Sequence, residues 1–136
     1  VLHACDATQA LPDGLPLLFD AVLLDAPCSA TGIIRRQPDI KWHRQVKDID
    51  QLNTLQWRLL KNAWRYLKPG GRLMYSTCSV LKAENELLID SFLKQNGDAC
   101  AIDLGDRYGR VSGAGRQRFP GEDDGDGFYY ALLQKA

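Results

Sequence analysis

The sequence predicts an α/β fold, one domain over residues 1–136 built on a parallel sheet in three layers. Short, nearly all-apolar runs end in acidic or polar tips, as strands buried on both faces do. Segments between them carry apolar residues at steps of three and four, the period of a helix. These alternate as strand, helix, strand, helix, strand, at the spacing of βαβ crossovers, which parallel neighbours require.

Each element follows from its residues. Val1-Leu2-His3-Ala4-Cys5-Asp6 reads as the end of a short strand stopped by an acid, so the chain is expected to start mid-fold. A Pro/Gly-containing loop follows from Leu11 to Leu15, and then Phe19 to Leu24 is an apolar strand ending at Asp25. Ile49, Leu52, Leu55, Leu59, Leu60, Ala63 and Leu67 predict a helix from about Asp50 to Leu67, capped by Asp48 or Asp50 and stopped by Pro69-Gly70-Gly71. Trp57 and Trp64, seven apart on it, share a face and read as core. Arg72 to Ser76 is the next strand, Lys82 to Gln95 a helix ended by Gly97, Ala99 to Leu104 a third strand and Phe128 to Leu133 the last. Residues 105–127 hold seven glycines in 23 positions, with Arg107, Arg110, Arg116 and Arg118 followed by Glu122, Asp123, Asp124 and Asp126. A connection that long without periodicity is expected to be a functional loop or disordered.

Composition narrows the function. With 45% hydrophobic and 25% charged residues among 136, the chain is an ordinary globular domain, which excludes disorder, collagen and coiled coil. Seventeen basic against seventeen acidic residues leave no global field, so a nucleic-acid site must be a local patch. No apolar run reaches the roughly 18 residues of a membrane span and no signal-peptide layout is present, so the expected compartment is the cytoplasm. Cys5, Cys28, Cys78 and Cys100 form no C-x-x-C pair, so neither a metal site nor a disulfide framework is expected.

The chemistry sits at two strand tips. Asp25-Ala-Pro-Cys28-Ser-Ala-Thr-Gly32 follows one strand and Ser76-Thr-Cys78-Ser79 another. Tips of parallel neighbours converge on one edge of the sheet, so Asp25, Cys28 and Cys78 can share a crevice. Cys78 lies ahead of a predicted helix, whose N-terminal partial charge would favour a thiolate, making it a candidate nucleophile.

These two stretches, joined by the Leu67-Lys-Pro-Gly-Gly71 turn, resemble motifs IV and VI of the RNA cytosine-5 methyltransferases. Cys5-Asp6-Ala7 is similar to the family's motif III, Glu84-Asn85-Glu86 to the segment after its catalytic strand, and Asp126-Gly-Phe-Tyr-Tyr-Ala131 to its C-terminal signature. Residues 34–42 are most similar to bacterial members acting on small-subunit ribosomal RNA. The resemblance implies a Rossmann-like class I fold, a three-layer sandwich using S-adenosylmethionine, with ribosomal RNA as substrate. It implies that Cys78 attacks carbon 6 of cytosine so that carbon 5 can take the methyl group, that Cys28 assists release of product, and that Asp25 polarises the ring and also contacts the cofactor. Asp6 would bind the cofactor's adenine amine. The target base must leave its stack to reach the thiol.

The chain departs from the family in two places. Cys5 stands where motif III usually has glycine, and no G-x-G-x-x-G follows a strand, since Gly113-Ala-Gly115 runs into Arg-Gln-Arg. The chain is therefore expected to be the C-terminal portion of a catalytic domain whose first two strands, which come before Val1 in sequence and lie between the Val1 and Phe19 strands in the sheet, are missing. Alone it is expected to fold poorly and be inactive.

Arg35, Arg36, Lys41, Arg44 and Lys47 against Asp39 give net +4 over residues 35–47, with Trp42 and His43 interleaved. That mixture suits phosphates and stacked bases, so Arg35, Arg36, Lys41 and Arg44 are the candidate RNA contacts. A non-catalytic RNA-binding module would be expected to lose the thiol or the acid. Methylation of an exocyclic amine would need Asn/Asp-Pro-Pro-aromatic in place of Asp25-Ala-Pro-Cys28, and a cysteine hydrolase would need a histidine at a strand tip, where neither His3 nor His43 lies.

Overall fold

The computed structural model describes residues 2–16 and 18–136. Six strands, β1 (Phe19–Asp25), β2 (Leu67–Thr77), β3 (Ala99–Ile102), β4 (Arg110–Ser112), β5 (Gly115–Arg118) and β6 (Phe128–Lys135), form one sheet. The helices are α1 (Ile40–His43), α2 (Val46–Arg65) and α3 (Glu86–Gln95).

The expected wholly parallel sheet is corrected to a mixed one. Among the described residues only β1 and β2 run parallel, whereas β6 is antiparallel to β2, β3 and β5. β6 is central: it pairs β2 along one edge, and on the other it pairs β5 near its start and β3 near its end. Its period-two pattern buries Tyr129, Ala131 and Leu133, which lie opposite Thr77, Tyr75 and Leu73 of β2.

That face meets both long helices. Leu60 and Trp64 of α2 and Leu88, Ile89 and Phe92 of α3 complete the core, with Trp57 and Trp64 edge-on to Phe92 as their shared face predicts. The opposite face is more open, with Leu23 73% exposed, so the described residues supply the sheet and one helical layer of the three expected.

α2 begins earlier than predicted, at Val46. Asp48 is not its cap but lies within the first turn, where its carboxylate accepts the Gln45 backbone N–H at 2.9 Å. At the other end Lys135 Nζ donates to the carbonyls of Trp64 and Leu67, placing a cation on the helix C-terminus. Pro69-Gly70-Gly71 falls inside β2, and the predicted helix at Lys82 is a 3-10 turn to Glu84 before α3 starts at Glu86.

Two further expectations change. Residues 2–6 form no strand, and Val1 lies outside the described residues. The segment is instead strapped to α2, because Asn62 Nδ2 donates to the carbonyls of Ala7 and Gln9 while Tyr66 Oη accepts the Leu11 amide. Of residues 105–127, expected to be a functional loop or disordered, 119–127 stay loop with one 3-10 turn, whereas 110–118 form regular strands. They extend the sheet as the β4–β5 hairpin, turning at Gly113-Ala114, with Arg116 forked onto Asp103 and Asp106. Among the described residues no helix is long and apolar enough to cross a membrane.

Candidate active site

Parallel pairing sets Asp25 opposite Ser76, whose hydroxyl donates to the Asp25 carboxylate at 3.2 Å. Beyond these tips the two chains stay side by side. Gly32 donates its amide to the Cys78 carbonyl at 2.8 Å, and Gly127, just ahead of β6, donates to the Gly32 carbonyl at 2.8 Å. Between these bonds the sulfurs of Cys28 and Cys78 come within 3.5 Å of each other, both half-buried.

One proton shared by two close sulfurs separates their acidities. The Cys28 thiol donating to it lowers Cys78 from 9.0 to about 7, against the opposing effects of burial and of the charges on Asp25 and Glu84. Cys28 is pushed up by that same bond and by burial, so it keeps its proton. The expected helix-terminus effect is corrected here, since the first α-helix after Cys78 begins only at Glu86 and the neighbouring thiol takes that role.

Beneath the sulfurs lies a buried polar cluster to which the sequence reading assigned no role. Glu84, wholly buried, accepts from Ser29, Ser79 and Gln56. Asn85 accepts from Thr77 Oγ1 and donates to the Ser79 carbonyl and to Gln117, fixing the Cys78 loop from the other side. The signal for it was the Cys-Ser pair occurring twice, at 28–29 and 78–79, and a polar Gln56 on the buried stripe of α2.

Asp25, Cys28 and Cys78 are thus brought together. Asp6 is engaged locally, its carboxylate accepting the Thr8 amide and hydroxyl, which holds it below the usual carboxylate range. Among the described residues no hydrogen bond joins it to the other three. Arg35, Arg36, Lys41 and Arg44 are all exposed, as is Trp42 beside Lys41. Arg36 pairs with Asp126, Arg35 reaches the Gly125 carbonyl, and Arg44 Nε donates to the Ser29 carbonyl at 2.9 Å, one residue from Cys28. A cleft of about 590 Å³ at the hairpin holds no cysteine, and its Arg110, Arg116 and Arg118 are each paired with a carboxylate.

Residues 1–134 match the family model described as 16S rRNA methyltransferase RsmB/F. The chain is 60% identical to the ribosomal RNA small subunit methyltransferase B of Xanthomonas campestris, over 99% of its own length and 31% of that protein's. It therefore spans under a third of this curated relative. In solved structures it is similar to NSun6 from Pyrococcus horikoshii with SFG, at TM-score 0.84 and 29% identity over 99% of this chain and 34% of that one. A methyltransferase homolog from Pyrococcus horikoshii superposes at TM-score 0.74 and 34% identity, covering 88% of this chain and 40% of its own. The Rossmann-like methyltransferase fold expected from the sequence is shared with these neighbours.

Proposed function

Because the chain belongs to the 16S rRNA methyltransferase RsmB/F family, we propose that it carries the catalytic thiols of a cytoplasmic enzyme that methylates carbon 5 of a cytosine in small-subunit ribosomal RNA. The observation that carries this reading is the thiol pair, 3.5 Å apart, at the strand edge that also bears Asp25.

Cytosine carbon 5 is a weak nucleophile. A Cys78 thiolate adding to carbon 6 pushes the ring electrons toward carbon 5, which takes the methyl group; the carbon-6–sulfur bond then breaks, returning the thiolate, as the carbon-5 proton passes to a water molecule acting as base. A thiol lowered to about 7 is ionised in useful amounts near neutrality. Asp25, exposed at the tip, orients the ring and offsets the charge it takes up, while Cys28, still protonated, assists elimination by donating a hydrogen bond to the departing Cys78 sulfur.

S-adenosylmethionine would supply an electrophilic methyl group. The carboxylates of Asp25 and Asp6, both exposed, fit a cofactor that carries a sulfonium, an ammonium and an adenine amine. Asp25 would contact it at the strand tip and Asp6 at the adenine. The exposed basic segment with Arg35, Arg36, Lys41 and Arg44 would hold RNA phosphates.

Incubating the intact protein with unmodified 16S ribosomal RNA and S-adenosylmethionine, then sequencing after bisulfite treatment, tests the proposal. A newly protected cytosine is expected, and methyl incorporation at an exocyclic amine instead would overturn it.

A further inference from the structure

Cys28 and Cys78 are each followed by a serine, and the two serines meet at one oxygen. Ser29 Oγ and Ser79 Oγ donate to Glu84 Oε2 at 2.6 and 2.5 Å and lie 3.2 Å from each other. The other oxygen, Oε1, accepts the Ser29 amide at 2.9 Å and Gln56 Nε2 at 3.0 Å. Gln56 also donates to the Pro27 carbonyl at 2.9 Å, and Tyr75 Oη donates to the Glu84 carbonyl at 2.8 Å. Ser29, Ser79, Gln56 and Glu84 are all 0% exposed.

A fully buried carboxylate is costly to desolvate, and an apolar side chain would fill the same space at lower cost. What an apolar side chain could not do is gather four donors from three separate chain segments onto two oxygens. Three of those donors belong to Ser29 and Ser79, the residues that immediately follow the two cysteines. We propose that Glu84 is the positioning residue of the thiol pair: by drawing Ser29 and Ser79 onto one carboxylate oxygen it sets the separation of Cys28 and Cys78 without touching substrate. The inference deepens the function proposed above and rests on it only for the use to which the thiols are put.

Two effects of Glu84 on Cys78 have opposite signs, and this gives the test. Its negative charge alone disfavours the Cys78 thiolate, so removing that charge should make the thiol more acidic. The clasp keeps Cys28 in place to donate to Cys78, so loosening it should make the thiol less acidic. The experiment follows iodoacetamide alkylation of Cys78 against pH in the intact protein, with neither RNA nor cofactor present, and reads the modified peptide by mass spectrometry so that exposed Cys5 and Cys100 do not interfere.

In Glu84→Gln the alkylation midpoint is expected to rise from about 7 by roughly one pH unit, as a weakened hydrogen bond to a charged sulfur requires. Ser29→Ala and Ser79→Ala keep the charge but cut the clasp, and each should raise the midpoint as well. They decide the matter if Glu84→Gln does not fold. A midpoint that falls in Glu84→Gln, or stays fixed in both serine variants, would overturn the proposal. Methyl transfer by the unmodified protein is assayed in parallel. Shifted midpoints with no methylation would uphold the clasp and defeat the enzymatic reading, whereas methylation with unshifted midpoints would do the reverse.

Discussion

A Cβ built on Gly32 would lie 2.1 Å from the carbonyl oxygen of Gly127. The loop that carries Cys28 therefore touches the entry to β6 backbone against backbone, and the Gly32 amide in turn holds the Cys78 carbonyl. Room for the two thiols to meet depends on a residue with no side chain.

Gly32→Ala is thus expected to destabilise the protein by about 1–3 kcal/mol, since the atom to be displaced is main chain and cannot swing away. A thermal melt checks this. Gly70→Ala is the control, because nothing lies within 4 Å of a Cβ there and only the strain of φ +76° is felt.

The two cysteines should fail in different ways. Cys78→Ala is expected to abolish methyl transfer, and Cys28→Ala to let the covalent protein–RNA adduct, formed more slowly, persist once made and so accumulate at long incubation. Denaturing gels after incubation with RNA and S-adenosylmethionine distinguish them, and an adduct in the Cys78 variant alone would exchange the assignments.

Adduct formation should follow the Cys78 thiolate. The lowered pKa of Cys78 means that the reactive form is present above about pH 7 and is lost roughly tenfold per unit below it. In Cys28→Ala the donor is gone, so the midpoint should climb toward the ordinary 9.0, leaving on the order of 1% thiolate at pH 7. The rate of adduct formation against pH, measured in both proteins, shows whether the neighbouring thiol is the cause.

Asp25→Asn keeps the size of the side chain and its bond to the Ser76 hydroxyl but removes the charge. Single-turnover methylation should drop by roughly 10²-fold or more while the melt stays put. A folded variant with normal turnover would reduce Asp25 to a turn former.

The basic segment divides by what each residue already holds. Lys41→Gln is expected to lower the salt slope of RNA binding by about one, with little effect on folding. Arg44→Gln should also disturb the thiols, because Arg44 Nε holds the Ser29 carbonyl. Fluorescence titrations at several salt concentrations, beside the alkylation profile, separate the two effects.

Strand and helix periodicity was legible wherever one face is buried, which is why β1, α2, α3 and β6 lie close to where the residues place them. Strand direction was not, because a period of two is the same for parallel and antiparallel pairing, and β6 takes the direction its partners β2, β3 and β5 allow. The glycines of 105–127 suggested looseness, yet Gly113 makes a tight hairpin turn and Gly115 packs on Tyr129. Asp25, Cys28 and Cys78 could be found as polar residues at strand tips. Glu84 could not, since a glutamate near a helix start looks solvated until folding brings Ser29 and Ser79 to it from 55 and 5 residues away.

The central place of β6 bears on the order of synthesis. A ribosome makes this strand after β1 to β5, so until then the nascent chain offers β2, β3 and β5 without the neighbour all three share. Gly127, the residue before it, also arrives too late to brace the Cys28 loop any earlier. A chain that stops before β6 therefore leaves the edges of β2, β3 and β5 open to other chains and the Cys28 loop without its Gly127 brace.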